Sequence, residues 1–167
     1  PGAVTVGTTG TGSDDHLAML RFQAASGTKL NHVPYKGAGE VRSAMASGEI
    51  MMGAINIGEV LQYQKGGTPL RILGQMSKKR SPALPDVPTF KEQGYDFELA
   101  SLRGLAAPKG LPDAVRAQLV DAVKKTYDDP EFQAKARELF APLRYLAPAD
   151  YARVLEQGEA EFRAQWK

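Results

Sequence analysis

Cysteine is absent from this chain of 167 residues, and histidine occurs only twice. The first absence excludes disulfide bonds and thiolate metal sites, and it is compatible with either the cytosol or an oxidising compartment. Two histidines are also too few for an imidazole-rich metal cluster. We therefore expect neither a metal site nor a cofactor.

Excess charge and long apolar runs are missing as well. The formal net charge of +2 is too small for a nucleic-acid-binding surface, so we expect no nucleic-acid partner. No apolar stretch approaches the roughly 20 residues of a membrane-spanning helix, and no signal-peptide pattern opens the sequence. Hydrophobic residues (43%) and charged residues (24%) occur at the levels of folded globular domains, which predicts one ordinary domain or two small lobes.

Short β-rich runs alternate with helical stretches from Ala3 to about Ser77. This alternation is typical of βαβ units with a parallel sheet, so the predicted fold class is α/β. The predicted strands are 3–6, 30–35, 50–56 and 70–74, and the predicted helices are 14–26, 40–47 and 57–65.

A proline-rich segment over residues 81–96 interrupts this alternation. Thr89 and Glu92 have the spacing of a capping box, which predicts a brief helix that Gly94 ends. From Pro112 onward the pattern is mainly helical. The predicted helices there are 113–128, 131–140 and a last one from 148, which Trp166 should anchor by packing; 97–108 and 143–146 are predicted strands.

The sequence GTTGTGSDDH, residues 7–16, contains the densest group of glycines and hydroxyls. Gly7 and Gly12 have the spacing of a P-loop, but Ser13 occupies the position of its lysine. The glycine intervals are reversed relative to a dinucleotide fingerprint, and Ser13 lacks the flanking glycines of a nucleophile elbow. Residues 13–16 are consecutive in the first turn of a predicted helix, so their side chains diverge and do not form a catalytic triad.

The same turn has what an anion site needs. Glycines let backbone N–H groups approach a ligand, hydroxyls add donors, and a helix N-terminus carries positive charge. The alternative is an ordinary N-capped helix with a glycine-rich lead-in. Gly37 and Gly39 mark a second strand-to-helix junction, and Asn56 and Gly58 a third. Because parallel strands end at one edge of a sheet, the three junctions should converge on a crevice suited to a carboxylate.

Four stretches taken in order, GTTGTGSDDH, HVPYKGAGE, LPDVPTFKEQGYDF and RGLAAPKGLP, resemble the Bug family, the extracytoplasmic solute receptors of tripartite tricarboxylate transporters. The resemblance covers nearly the whole chain. It implies a type II periplasmic-binding-protein fold, the two-lobed Venus flytrap. Residues 1–97 would form the second α/β lobe, and residues 98–167 would be the crossover and the mainly helical return to the first lobe.

The resemblance further implies a partial chain that opens at Pro1 and lacks the N-terminal part of the first lobe. The expected function is non-catalytic capture of a di- or tricarboxylate, such as citrate, in the periplasm for a membrane permease. Relatives carry an aspartate near the positions of Met51 or Ile55, which disfavours amino-acid ligands for this chain. Apolar helix faces without the missing lobe segment would favour self-association of this piece.

Candidate ligand-binding residues come from both lines of reasoning. Thr11, Gly12 and Ser13 match the family's carboxylate-binding turn, and Asn56 and Gly58 match a second pocket turn. The full candidate set is Thr9, Thr11, Gly12, Ser13, Tyr35, Gly37, Asn56, Gly58 and Arg103. His16 is expected to pack or support the site from behind, and His32 to be structural.

Two other functions are compatible with the residues alone. A small α/β enzyme could act on an anionic substrate at the glycine-rich turn, although no nucleophile elbow, metal cluster or phosphate-binding lysine accompanies it. A helical interaction module would use only the C-terminal half and would leave the glycine-rich turns without a role.

Overall fold

The computed structural model describes residues 2–165. Trp166, the predicted anchor of the last helix, lies outside this range. The chain divides into two units, Pro1–Ser101 and Leu102–Lys167. Their assignment to two different lobes of a flytrap, with a boundary after residue 97, stays a prediction.

The first unit is built around a small parallel sheet. Its strands are β1 (Thr5–Thr8), β2 (Asn31–Pro34) and β3 (Met52–Gly53), in the order β2-β1-β3. Helices α1 (Asp14–Ser26), α2 (Ala38–Ser47) and α3 (Ile57–Lys65) follow the three strands in turn. Both pairings of β1 are parallel, so the βαβ organisation and the α/β class predicted from the sequence are confirmed.

The helix boundaries follow local signals in the sequence. Ser13 caps α1, and Gly27 ends it. Helix α2 begins two residues earlier than predicted, because the carbonyl oxygen of Gly37 already accepts hydrogen bonds from the N–H groups of Glu40 and Val41. The glycine at 39 is thus inside the first turn of α2 rather than in the preceding loop.

Helix α2 packs directly on the sheet and forms the main core. Val41, Ala44 and Ile50 are buried there. Two strand glycines permit this close approach: a Cβ atom on Gly7 would lie 3.1 Å from Val41 Cγ1 of α2, and one on Gly53 would lie 2.7 Å from Met45 Sδ. The missing side chains are therefore what lets the helix lie on the sheet.

Three predicted strands, over 70–74, 97–108 and 143–146, are wrong for the part of the chain that the structure describes. A β-rich run forms a strand only where a neighbouring backbone pairs with it. Next to 70–74 there is a single isolated bridge between Gln75 and Thr89. The predicted brief helix after Thr89 is a hydrogen-bonded turn.

The proline-rich segment is nonetheless tightly held. Gln75 is 1% exposed, and its side-chain amide donates to the carbonyl oxygens of Leu84 and Val87. The predicted capping box is present: the N–H of Glu92 donates to Thr89 Oγ1, and the N–H of Thr89 donates to the Glu92 carboxylate. These bonds replace the ones that a regular strand or helix would have provided.

An aromatic cluster joins this segment to α1. Phe22 of α1 lies with its ring centroid 5.4 Å from that of Phe90 and 5.6 Å from that of Tyr95. Phe97 stacks on Phe90 at 5.4 Å. The proline-rich segment therefore packs against the helix that follows the glycine-rich turn.

The second unit contains helices α4 (Asp113–Asp128), α5 (Pro130–Glu138) and α6 (Pro148–Gln165). Asp129 caps α5 by accepting from the N–H of Phe132. Val115, Leu119 and Val123, on one face of α4, are between 37% and 46% exposed. Self-association through such surfaces stays a prediction. Among the described residues, no helix combines the length and apolarity needed to cross a bilayer.

We expect Gly7→Val to lower the free energy of unfolding by about 1–3 kcal/mol, because its side chain would overpack the contact between β1 and α2. Gly39→Ala is the matched control. A Cβ atom there meets nothing within 4 Å, and alanine should stabilise the helix by about 0.5–1 kcal/mol. Chemical denaturation of both variants measures the two effects, and equal stability would contradict the close-approach interpretation.

Candidate functional site

Three turns leave the sheet at the carboxyl ends of its strands. Residues 9–13 follow β1, residues 35–37 follow β2, and residues 54–56 follow β3. The N–H of Tyr35 donates to the Thr8 carbonyl oxygen (2.9 Å), and the N–H of Ala54 donates to the Gly7 carbonyl oxygen (3.0 Å). The sheet pairing thus continues into the second and third turns and brings all three to one edge, as predicted.

The first turn is shaped by glycine. Gly10 and Gly12 have φ values of 128° and 83°, which L side chains rarely adopt. Ser13 then closes the turn: its hydroxyl donates to the Gly10 carbonyl oxygen (2.8 Å) and accepts from the N–H of His16 (3.2 Å). Thr11 and Gly12 are exposed at the tip, where backbone and hydroxyl donors can reach a ligand.

Thr9 is held by a buried carboxylate. Its hydroxyl donates to Asp15 Oδ2 at 2.6 Å, and Asp15 is only 5% exposed. Burial raises the pKa of Asp15 to about 6; the bond from Thr9 opposes this shift, and the charges of Asp14 and Glu59 add to it.

A histidine pair lies behind the same turn. The N–H of Gly12 donates to His16 Nδ1 at 3.1 Å, and the ring of His16 stacks on that of His32 with centroids 3.9 Å apart. Thr8 Oγ1 lies 2.7 Å from His32 Nε2. Burial lowers the pKa of both histidines, and the charge of His16 lowers that of His32 further. Both rings are therefore neutral near pH 7.

In the second turn, the side chain of Tyr35 is already engaged. Its hydroxyl donates to Glu49 Oε1 at 2.7 Å, while Gly37 serves as the cap residue of α2. In the third turn, the N–H of Asn56 donates to the Glu59 carboxylate (3.3 Å), and Gly58 lies in the first turn of α3. Their roles in ligand binding stay predictions.

Arg103 belongs to the second unit, so its predicted role at the crevice also stays a prediction. Across the described residues there is no group of three or more side chains suited to hold a metal ion.

Sequence reasoning missed the importance of Asp15. We assigned it only a favourable place in the first helical turn, because nothing in the spacing of Thr9 and Asp15 signals a hydrogen bond between them. The support from His16 was expected in general terms, and the structure adds its partner, the N–H of Gly12.

A parallel sheet with a glycine-rich helix N-terminus at its carboxyl edge is an arrangement found in several classes of α/β ligand-binding protein. The family model described as "Tripartite tricarboxylate transporter family receptor" matches residues 1–156. The chain therefore belongs to this family, whose members are solute-binding receptors rather than enzymes.

Individual relatives agree with this assignment. The UPF0065 protein in the gbd 5' region of Cupriavidus necator is 33% identical over 152 residues, which are 91% of this chain and 46% of that protein. An R. palustris protein solved with adipate is 27% identical, with a TM-score of 0.88, over 99% of this chain and 55% of the other. The periplasmic binding protein BugD is 29% identical, with a TM-score of 0.69, over 83% of this chain and 46% of the BugD chain. The chain thus spans about half the length of the relatives it matches.

We expect Asp15→Asn to stabilise the protein above about pH 6. A carboxyl whose folded-state pKa is raised from 3.8 to about 6 destabilises the fold progressively as the pH rises between these values. Above this pH range, the free energy of unfolding of the variant should therefore exceed that of the native protein by about 1–3 kcal/mol. Near the lower end of the range, the two free energies should be equal.

Thermal or chemical unfolding of both proteins across this pH range measures the difference. The lowered pKa of the two histidines acts in the opposite direction, but it affects both proteins and cancels in the comparison. A stability difference that does not change with pH would contradict the assignment of a raised pKa to Asp15.

Proposed function

We propose that this chain is part of an extracytoplasmic receptor that captures a small di- or tricarboxylate, with citrate as one candidate. The receptor would act in the periplasm and deliver the acid to the membrane permease of a tripartite tricarboxylate transporter. Family membership supports the receptor class, and the R. palustris relative solved with adipate supports a carboxylate as the ligand.

The observation that carries the proposal is the turn of residues 9–13 at the start of α1. A helix N-terminus carries about half a positive charge and unpaired N–H groups, and both favour an anion. Thr11 and Gly12 are exposed there. Backbone amides and hydroxyls bind a carboxylate without forming a buried ion pair, which suits reversible capture and release.

The third turn is proposed as a second contact. Gly58 lies in the first turn of α3, which follows the strand β3. Two helix N-termini on adjacent turns fit a ligand with two acidic groups better than a monocarboxylate. Arg103 is proposed as a further contact, since a guanidinium can fork onto a carboxylate.

The test is calorimetric titration of the intact protein with adipate, malate and citrate, combined with NMR of the ligand. We expect at least one acid to bind and none to be converted. Conversion of an acid above a buffer control would contradict the receptor function. So would the release of a nucleotide, detected by mass spectrometry, from the denatured protein.

Ser13 allows a sharper test of the site itself. Aspartate is as good a helix cap as serine, but its carboxylate cannot replace the bond that the Ser13 hydroxyl donates to the Gly10 carbonyl oxygen, so Ser13→Asp should lower the free energy of unfolding by about 1–3 kcal/mol. Its charge should also weaken carboxylate binding by about 1–4 kcal/mol, the Coulomb range for two charges near a protein surface. Ser13→Thr, which keeps the hydroxyl, is the matched control. Equal affinity of the two variants would place the ligand elsewhere.

A further inference from the structure

The candidate anion site keeps two of its donors occupied from within. The hydroxyl of Thr9 donates to Asp15 Oδ2 (2.6 Å), and the N–H of Gly12 donates to His16 Nδ1 (3.1 Å). A carboxylate ligand needs donors, and a donor that is already bonded to an internal acceptor is unavailable to it. Both internal acceptors are titratable.

The hydrogen-bonding capacity of Asp15 changes with its proton. An ionised carboxylate can only accept hydrogen bonds, so the Thr9 hydroxyl keeps its proton directed at Asp15. A protonated carboxyl can instead donate to Thr9 Oγ1, which leaves the threonine proton free to donate outward. Protonation also removes a negative charge from beside the turn that would receive the anion.

From these contacts we propose that Asp15 is a positioning residue that couples carboxylate binding to proton uptake. Ionised Asp15 accepts the hydrogen bond of the Thr9 hydroxyl, which is then unavailable to the ligand, and its negative charge repels the ligand. Protonated Asp15 has neither effect. The inference rests on the proposed carboxylate-receptor function and adds a means of regulating the same site.

The surroundings of Asp15 favour protonation at a useful pH. Asp14 and His16 are its neighbours on α1, and Glu59 and Tyr63 interact with it from α3. Burial and the two acidic neighbours raise the pKa of Asp15 to about 6. Affinity should therefore increase as the pH falls toward this value.

The Gly12–His16 contact acts in the same direction. Protonation of His16 Nδ1 turns an acceptor into a donor, which releases the N–H of Gly12 and adds a positive charge behind the turn. Burial opposes this step, because it lowers the pKa of His16.

The experiment compares the native protein with Asp15→Asn, which mimics the neutral acid and can still hydrogen-bond to Thr9. Both are titrated by calorimetry with adipate, malate and citrate at about pH 7.5 and about pH 5.5. At the higher pH we expect the variant to bind about three- to tenfold more tightly, and at the lower pH the two should agree within about twofold. Titration of the ligand itself affects both proteins equally and cancels in the ratio.

Asp14→Asn is the matched control, because it removes a charge from the same helical turn without touching Thr9. Unlike Asp15→Asn, it should keep a pH-dependent affinity, with the rise moved to a lower pH because Asp14 helps to raise the pKa of Asp15. The ratio of the dissociation constants of the native protein and Asp15→Asn could prove independent of pH. That result would overturn the coupling while leaving the receptor function intact. Failure of all three acids to bind at either pH would overturn the receptor function, and the coupling with it.

A second measurement uses the native protein alone. Carboxyl NMR of Asp15 should show that a saturating acid raises its pKa by roughly 0.5–1 unit, the same three- to tenfold coupling expressed as proton affinity. A purely structural Asp15 would show no such shift, and an unchanged or lowered pKa would overturn the proposal.

Discussion

The parallel pairing of β1 between β2 and β3 is the constraint on which the rest of the first unit depends. Because all three strands run in the same direction, the turns that follow them emerge at one edge. Gly7 and Gly53 lie opposite each other in this pairing, and their missing side chains admit α2 onto the sheet. The core and the candidate site are thus two consequences of one backbone arrangement.

Some hydrogen-bond donors of the candidate site are already bonded within the protein. The Thr9 hydroxyl and the N–H of Gly12 are hydrogen-bonded to Asp15 and His16, so two of the site's donors are satisfied without a ligand. This arrangement stabilises the turn, because unpaired buried polar groups are costly. It also means that a ligand must compete with internal acceptors, and the protonation state of those acceptors sets the strength of the competition.

The proline-rich segment is held by hydrogen bonds and packs against α1 through aromatic rings. Gln75 holds the proline-rich loop through its amide, and the rings of Phe90 and Tyr95 pack on Phe22 of α1. Arg80 and Thr89 hold the pKa of Glu92 at about 2, which keeps the capping carboxylate ionised. The proline-rich segment therefore supports the helix that follows the glycine-rich turn.

The sequence by itself determined the α/β class, the βαβ order, the bounds of α1 and the capping by Ser13, because these depend on periodicity and on neighbouring residues. Only the tertiary structure decided which β-rich runs became strands: 70–74 and 97–108 lack a pairing neighbour within the described residues, and no local pattern reports that. The bond between Thr9 and Asp15 and the stacking of His16 on His32 likewise arise from chain geometry, since each joins residues whose spacing carries no signal. Burial, which sets their pKa values, exists only once the chain has folded.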